Sequence, residues 1–333
     1  MPRRKISASS RREEIAADAK SFGRALLRWY DLHRRDLPWR TTRDPYRVWV
    51  SEIMLQQTRV AAVLEHYRIF LERFPDVRTL ASASGDAVLA AWSGLGYYRR
   101  ARMMHRCARE VVHQYAGIFP RTSEALTELP GIGRYTAAAV ASIAFDEPIA
   151  VVDGNVERVL ERTVGRQLPQ GQAWSIAQSL VNSTRPGDFN QAMMELGATV
   201  CTPRQPSCLI CPVRSFCASQ GEIARAQTQN RQRRLEMWYT LDRRNGHVRL
   251  VQRSKKDSLM PGMWELPETP AVNAKDNATY WRMFRHSITV TDYKIHVVRG
   301  RASGKGKWFA IGAIPTLPIT GLARKILKAG GII

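Results

Sequence analysis

Acidic residues are scarce in this sequence: 29 Asp and Glu stand against 51 Lys and Arg, for a formal charge of +22 and a sequence pI near 10.5. That imbalance points to a polyanionic partner, with nucleic acid as the first class to consider, and sets nothing finer than the substrate class. Long apolar runs are missing too. No stretch approaches the roughly 18 residues that a spanning helix needs, and the opening MPRRKISASSRREE has no apolar core of a secretory signal. No membrane association is expected, and the expected location is intracellular: cytoplasmic and nucleoid-associated. Cysteine is also rare, with five among 333 residues. In a reducing compartment these read as ligands or spare thiols, not as disulfides. No internal repeat is visible.

What is present suffices for one substantial core or two smaller ones, since 44% of the residues are hydrophobic. Residues 1–20 are polar and basic without apolar periodicity and read as a flexible arm. Residues 21–217 are helical in pattern nearly throughout. Val60, Val63, Leu64, Tyr67, Phe70, Leu71 and Phe74 recur at helical spacing, and Pro75 ends the run. Further helices are predicted over 80–92, 100–115, 135–145 and 173–181. Residues 218–235 are apolar-poor and suit an exposed linker. A small mixed β domain, 236–333, follows. There, Met237 to Leu241 and His247 to Gln252 flank an Asn245-Gly246 pair, a hairpin signal.

Four of the cysteines crowd together as Cys201-x6-Cys208-x2-Cys211-x5-Cys217, and the rest of the chain holds only Cys107. Four thiolates can therefore converge on one point. Structural zinc commonly draws on two close Cys pairs, whereas this segment has one Cys-x-x-Cys with wider gaps on both sides. A cubane iron–sulfur cluster takes four thiolates and tolerates such spacing.

Between two helical stretches lies Leu129-Pro130-Gly131-Ile132-Gly133-Arg134-Tyr135. Gly131 and Gly133 allow a tight turn whose amides can hold a phosphate without reading sequence, although a glycine pair between helices also serves as a plain turn. Glu52 sits among apolar neighbours in Val48-Trp49-Val50-Ser51-Glu52-Ile53-Met54-Leu55. Desolvation there would let it keep a proton near neutral pH, as a general acid requires; the plainer reading is a solvated helix glutamate. Asp153 closes the apolar run Ile149 to Val152 and opens a helix at Gly154-Asn155-Val156. Its plainer reading is a helix cap.

These segments resemble the adenine DNA glycosylase family, MutY, of the helix-hairpin-helix glycosylases, over almost the whole chain. The resemblance rests on Leu37-Pro38-Trp39-Arg40, Ser51 to Thr58, Gly94-Leu95-Gly96-Tyr97-Tyr98, the hairpin, Val152 to Val156, Asn190 to Met194 and the cysteine spacing. It implies a mainly α N-terminal region, a six-helix barrel domain plus an iron–sulfur domain holding a [4Fe-4S] cluster on Cys201, Cys208, Cys211 and Cys217. It further implies that Glu52 protonates a flipped-out adenine and then activates a water, while Asp153 stabilises the sugar cation or bonds it transiently.

By the same resemblance Tyr135 and Asn155 orient the carboxylates, and Arg40 and Gln191 border the adenine. Leu55, Gln57 and Tyr97 enter the base stack, offsetting the cost of extruding a base. Arg204 is a candidate phosphate contact. Related strand-cleaving enzymes carry lysine where this chain has Tyr135, so base removal with little or no lyase activity is expected. The implied partner is double-stranded DNA with adenine opposite 8-oxoguanine or guanine, bound by a monomer.

The last hundred residues resemble the α+β MutT-like (Nudix) domain of that family, most clearly at Leu259 to Pro267. No Glu-rich Nudix box is present, so pyrophosphatase activity is not expected. Where family members carry Phe-Ser-His, this chain has Phe284-Arg285-His286-Ser287, which leaves Phe284, His286 and Ser287 as lesion-recognition candidates. Two other readings stay open: a mismatch-specific pyrimidine glycosylase of the same fold, and a non-catalytic iron–sulfur DNA-binding protein. The Gln56-Gln57 pair argues against the first, and the presence of both Glu52 and Asp153 against the second.

Overall fold

The computed structural model describes residues 18–169, 171–223, 233–270, 278–288 and 290–333. Most of the arm expected at 1–20 lies outside these residues, and Ala19 and Lys20 already belong to the first helix. The helices are α1 (Ala19–His33), α2 (Pro45–Leu55), α3 (Val60–Arg73), α4 (Val77–Ser82), α5 (Gly85–Ala91), α6 (Arg99–Tyr115), α7 (Ser123–Thr127), α8 (Arg134–Phe145), α9 (Gly154–Val164), α10 (Gln172–Leu180), α11 (Pro186–Thr199) and α12 (Gly321–Ala329). The strands are β1 (Arg233–Leu241), β2 (Arg243–Arg244), β3 (His247–Gln252), β4 (Trp264–Glu265), β5 (Ala278–Ile288), β6 (Thr291–Gly300) and β7 (Lys307–Ala310). Among the described residues no helix is long and apolar enough to cross a membrane.

Internal contacts group the chain into two compact units. One comprises Met1–Val60, Asp76–Arg78 and Cys107–Ala226; the other comprises Ala61–Pro75, Thr79–Arg106 and Gln227–Ile333. The grouping follows packing, not chain order, and the linear division at 218–235 stays a proposal about chain organisation. Of that expected linker, 224–232 lie outside the described residues and 233–235 are already strand.

The first unit is helical. The apolar faces of α1, α9, α10 and α11 meet in one core, where Phe22, Leu26, Val156, Leu160, Ile176 and Phe189 are buried. Helix α8 differs, for Ala137 to Ala141 are buried on every side, as an all-apolar helix must be. Its small side chains let neighbours approach closely. A Cβ on Gly187 of α11 would lie 2.7 Å from the Ser142 carbonyl oxygen of α8. Helix α2 also packs against α8. Its start is specified locally: Pro45 occupies the first turn and the Asp44 carboxylate accepts from the Tyr46 amide at 2.9 Å, a cap that supplies one of the partners the helix lacks.

The second unit combines helices with a small α+β part. The single helix predicted at 80–92 is two, α4 and α5, because Ser84 caps a fresh start by accepting from the Ala87 amide at 3.2 Å. Its helical core includes Phe70 and Trp92, packed edge to face at 5.9 Å. The predicted hairpin needs a correction. Asn245 and Gly246 do form the turn, with φ of 46° and 74°, but the strand that returns across it is β2, with Arg244 opposite His247. Residues Met237 to Leu241 belong to β1, which pairs in parallel with β6. Strand β6 is the centre of a three-stranded sheet in the order β1-β6-β5. The core of this part gathers Tyr239, Leu250, Trp264, Val297, Ile319 and Ile326.

Candidate active site

Helix α2 delivers Glu52 into the first unit, where the residue is 5% exposed. The sequence left open whether this glutamate was solvated; it is buried. The Tyr135 hydroxyl at the start of α8 donates to Glu52 Oε2 at 2.7 Å and lies 3.3 Å from Met194 Sδ of α11. Burial, helped by the negative charge of Asp153, pushes the Glu52 carboxyl up to about 7 against the opposing Tyr135 hydrogen bond and Arg40 charge. Burial followed by the charges of Glu52 and Asp153 holds the Tyr135 phenol well above its ordinary value. The charge of Asp153 thus bears on both Glu52 and Tyr135.

Asp153 is the N-cap of α9. Its Oδ1 accepts from the amides of Asn155 at 2.9 Å and Val156 at 2.7 Å, and its Oδ2 from Asn155 Nδ2 at 2.8 Å. The cap reading and the functional reading coincide, because donors that satisfy a helix start also complement an anion. Asn155 is itself oriented. Its Oδ1 accepts from Arg158 at 2.8 Å, and Arg158 also donates to the carbonyls of Gly197 at 2.7 Å and Cys201 at 2.8 Å. Gly197 is required here: a Cβ would lie 2.6 Å from the Asn155 Cβ. The segment before Asp153 is pinned by Asn190, 1% exposed, which accepts from the Val151 amide at 3.0 Å and donates to the Ile149 carbonyl at 2.8 Å.

Arg40 is committed to other protein groups. It donates to Glu195 Oε2 at 2.7 Å and sits 5.5 Å over the Tyr30 ring, and Arg35 donates to both oxygens of the same carboxylate. Burial opposes ionisation of Glu195, yet the two guanidinium groups hold it down to about 2. Gln191, one turn before Glu195 on α11, accepts from the Tyr30 hydroxyl at 3.2 Å. Arg158, Asn190, Met194 and Glu195 were missed as members of this site by the sequence reading. Their signal was helical spacing, since Arg158 follows Gly154 by four and Glu195 follows Gln191 by four, but spacing does not say which helices face one another.

Where α2 ends, Leu55 is half-buried and Gln57 is exposed with φ of +54°, an unfavourable backbone for a residue with a Cβ. In the hairpin Gly131 takes φ of +79°. Gly133 caps α8 at φ −91°, which any residue adopts, and an added Cβ would meet nothing within 4 Å. Neither conformation nor packing needs glycine at 133. Tyr97 belongs to the second unit, 49% exposed at φ +48°. There too, Phe284 is a core side chain at 7% exposure, whereas Ser287 is exposed and donates to Asp292 Oδ1 at 2.6 Å. His286 is half-buried, and burial lowers its pKa, with the Lys325 charge adding to the shift.

Cys201, Cys208, Cys211 and Cys217 line one recess, with Arg162, Arg214 and Pro206 at its walls. Among the described residues no three His, Cys, Asp or Glu side chains are arranged to hold a metal ion. Burial pushes Cys211 up to about 11 and raises Cys217, so thiolates here require positive charge beside them. Arg162 donates to Cys201 Sγ at 3.3 Å and to the carbonyls of Thr202 and Pro203. Arg204 is exposed.

Residues 50–170 match the family model of the HhH-GPD superfamily base excision DNA repair proteins. A solved thermostable thymine-DNA glycosylase is 32% identical, with a TM-score of 0.57, and the alignment covers 61% of this chain and 97% of that one. The chain belongs to the HhH-GPD superfamily of base excision DNA repair proteins. Among curated relatives, this HhH-GPD chain is 51% identical over 226 residues to the adenine DNA glycosylase of Mus musculus, covering 63% of this chain and 44% of the relative. It is 39% identical over 306 residues to the adenine DNA glycosylase of Arabidopsis thaliana, covering 76% and 48%. The chain spans about half the length of the curated relatives it matches.

Proposed function

We propose that this chain is an adenine DNA glycosylase that hydrolyses the N-glycosidic bond of adenine mispaired with 8-oxoguanine or guanine in double-stranded DNA. One observation carries the reading: Glu52 is buried, protonatable and hydrogen-bonded by Tyr135, and the charge of the helix-capping Asp153 bears on both of them. Two carboxyl groups in unlike surroundings divide acid and anion roles between them. The names of the relatives, adenine DNA glycosylases at 51% and 39% identity, support the choice of base.

In this mechanism the duplex gives up one adenine into the site. Glu52 donates its proton to a ring nitrogen, the C1′–N9 bond breaks with its electron pair going to the base, and the Asp153 carboxylate faces the positive charge left on the sugar. A water then gives its proton to Glu52 and bonds C1′. Tyr135 holds Glu52, and Asn155 holds Asp153. Gln191, and Arg40 through its charge, border the base; Leu55, Gln57 and Tyr97 fill the emptied stack; the amides at Gly131 and Gly133 take a backbone phosphate. Cys201, Cys208, Cys211 and Cys217 would hold a [4Fe-4S] cluster, which would tie the ends of the 201–217 loop to one rigid centre. Recognition of the opposite base falls to His286 and Ser287 in a MutT-like module, with Phe284 packed beneath them.

The decisive experiment is a panel of duplexes carrying adenine opposite 8-oxoguanine, adenine opposite guanine, thymine opposite guanine, and uracil, each followed by alkali or buffer. Alkali-dependent breaks at adenine alone are expected. Turnover of thymine instead would favour the pyrimidine reading, which the likeness to a thymine-DNA glycosylase keeps in the comparison. Breaks of equal yield without alkali would refute the absence of lyase chemistry at Tyr135.

Gly197→Ala tests the seat of Asn155. The added Cβ would collide with the Asn155 backbone and side chain, so destabilisation of about 1–3 kcal/mol and a loss of about 10²-fold in excision are expected. Thermal melts and single-turnover rates measure both, and a parental rate would show that this close approach does not set the geometry.

A further inference from the structure

Within the second unit, one short helix is bonded to two segments far apart in sequence. Helix α12 begins at Thr320, whose side chain caps it by accepting from the Ala323 amide at 3.2 Å. The preceding residue, Ile319, is fully buried, and its carbonyl accepts from Ser93 Oγ at 2.9 Å and from the Tyr98 hydroxyl at 3.4 Å. Arg324 Nε returns the contact, donating to the same Ser93 Oγ at 2.9 Å. Ser93 is 3% exposed, and its hydroxyl both donates to and accepts from the α12 segment. The loop is pressed close: a Cβ on Gly94 would lie 3.0 Å from His66 Nε2 and 3.5 Å from Arg324 Cδ. This is the loop that carries Tyr97.

The next residue on the helix points elsewhere. Lys325 Nζ donates to the Arg285 carbonyl of β5 at 2.8 Å, between Phe284 and His286. Adjacent residues on a helix project about 100° apart, so one helix can hold two different elements by consecutive side chains. We propose that α12 is a positioning strut, with Arg324 and Lys325 setting the spacing between the Tyr97 loop and the His286 segment of β5, and that this spacing determines how strongly the base opposite adenine is discriminated. The inference rests on the reading above, in which Tyr97 and His286 act at the mispair. Arg324 and Lys325 are positioning residues and touch no substrate.

The test uses the full chain with Arg324→Met and Lys325→Met combined, which keep much of the aliphatic length and remove the donors. Two readouts separate the strut from the reaction. In hydrogen exchange, amides of 93–98 and of 284–288 are expected to exchange faster together; a rise confined to α12, or to one segment only, overturns the strut. In excision assays, the ratio of adenine removal opposite 8-oxoguanine to that opposite guanine is expected to fall about tenfold, while removal opposite guanine changes less than about twofold. An unchanged ratio, or an equal loss on both duplexes, overturns the role in discrimination. Lys325→Arg keeps a donor and should restore the ratio. Should the double variant not fold, Lys325→Met alone, whose amine is at the surface, carries the excision comparison, and with Arg324 still bonded to Ser93 faster exchange is then expected at 284–288, its absence overturning the strut. Parent protein that removes adenine from neither duplex would sink the glycosylase reading, and the exchange measurement would still decide the strut.

Discussion

Glu52→Gln is expected to lower adenine excision by about 10²–10⁴-fold, the usual contribution of a positioned acid and base, while DNA binding stays within the parental range. The same substitution should stabilise the fold at neutral and alkaline pH. The Glu52 carboxyl is raised from its ordinary 4.5 to about 7, chiefly by burial. The folded state therefore keeps a proton that the unfolded chain releases. Stability from this group is complete below about pH 4.5, declines as pH rises toward 7, and is lost above it, a change of about 3 kcal/mol. Glutamine does not titrate, and its amide oxygen still accepts from Tyr135. The stability gap between variant and parent should grow from pH 4.5 to 7 and then level off. Excision by the parent should fall over the same upper limb, as the acid loses its proton. Urea melts at pH 5 and 8 with single-turnover rates across that range measure both; identical pH dependence in variant and parent would rule out a proton stored at Glu52.

Asp153→Asn is expected to cost about 10²–10³-fold in excision, as removal of a preorganised electrostatic stabiliser does, with the fold retained. Oδ1 would go on capping α9 through the amides of Asn155 and Val156. The new amide would face Asn155 Nδ2, which cannot turn away cheaply because Arg158 holds Asn155 Oδ1. Two donors meeting there cost about 1–3 kcal/mol. Loss of rate with a modest loss of melting temperature separates a charge that acts on the sugar from a mere cap. Collapse of the fold, or a parental rate, would contradict the assignment.

The contrast between Asp153 and Glu52 shows why one site residue was easier to read than the other. Asp153 acts on the amides of the next residues, so its cap was legible in Asp153-Gly154-Asn155. Glu52 depends on α8 and α11, whose approach is set by small side chains at Ala137 to Ala141 and Gly187. The hairpin at Asn245-Gly246 divides in the same way. Turn chemistry is local and was correct, but the choice of β6 as the partner of β1 is not local, and adjacency in sequence misassigned it.

By itself the sequence determined the basic charge, the helical region, the cap at Asp153, the clustering of four thiols and, through the motif resemblance, the chemistry to be sought. Those properties depend on composition, short-range hydrogen bonding and period, which neighbours in the chain settle among themselves. Tertiary structure alone decided that Glu52 is dry, that Arg40 is spoken for by Glu195, that the four thiols line one recess, and that α12 grips two remote segments. Each of those outcomes requires side chains from separate elements to exclude water from one place, and linear spacing carries no record of that.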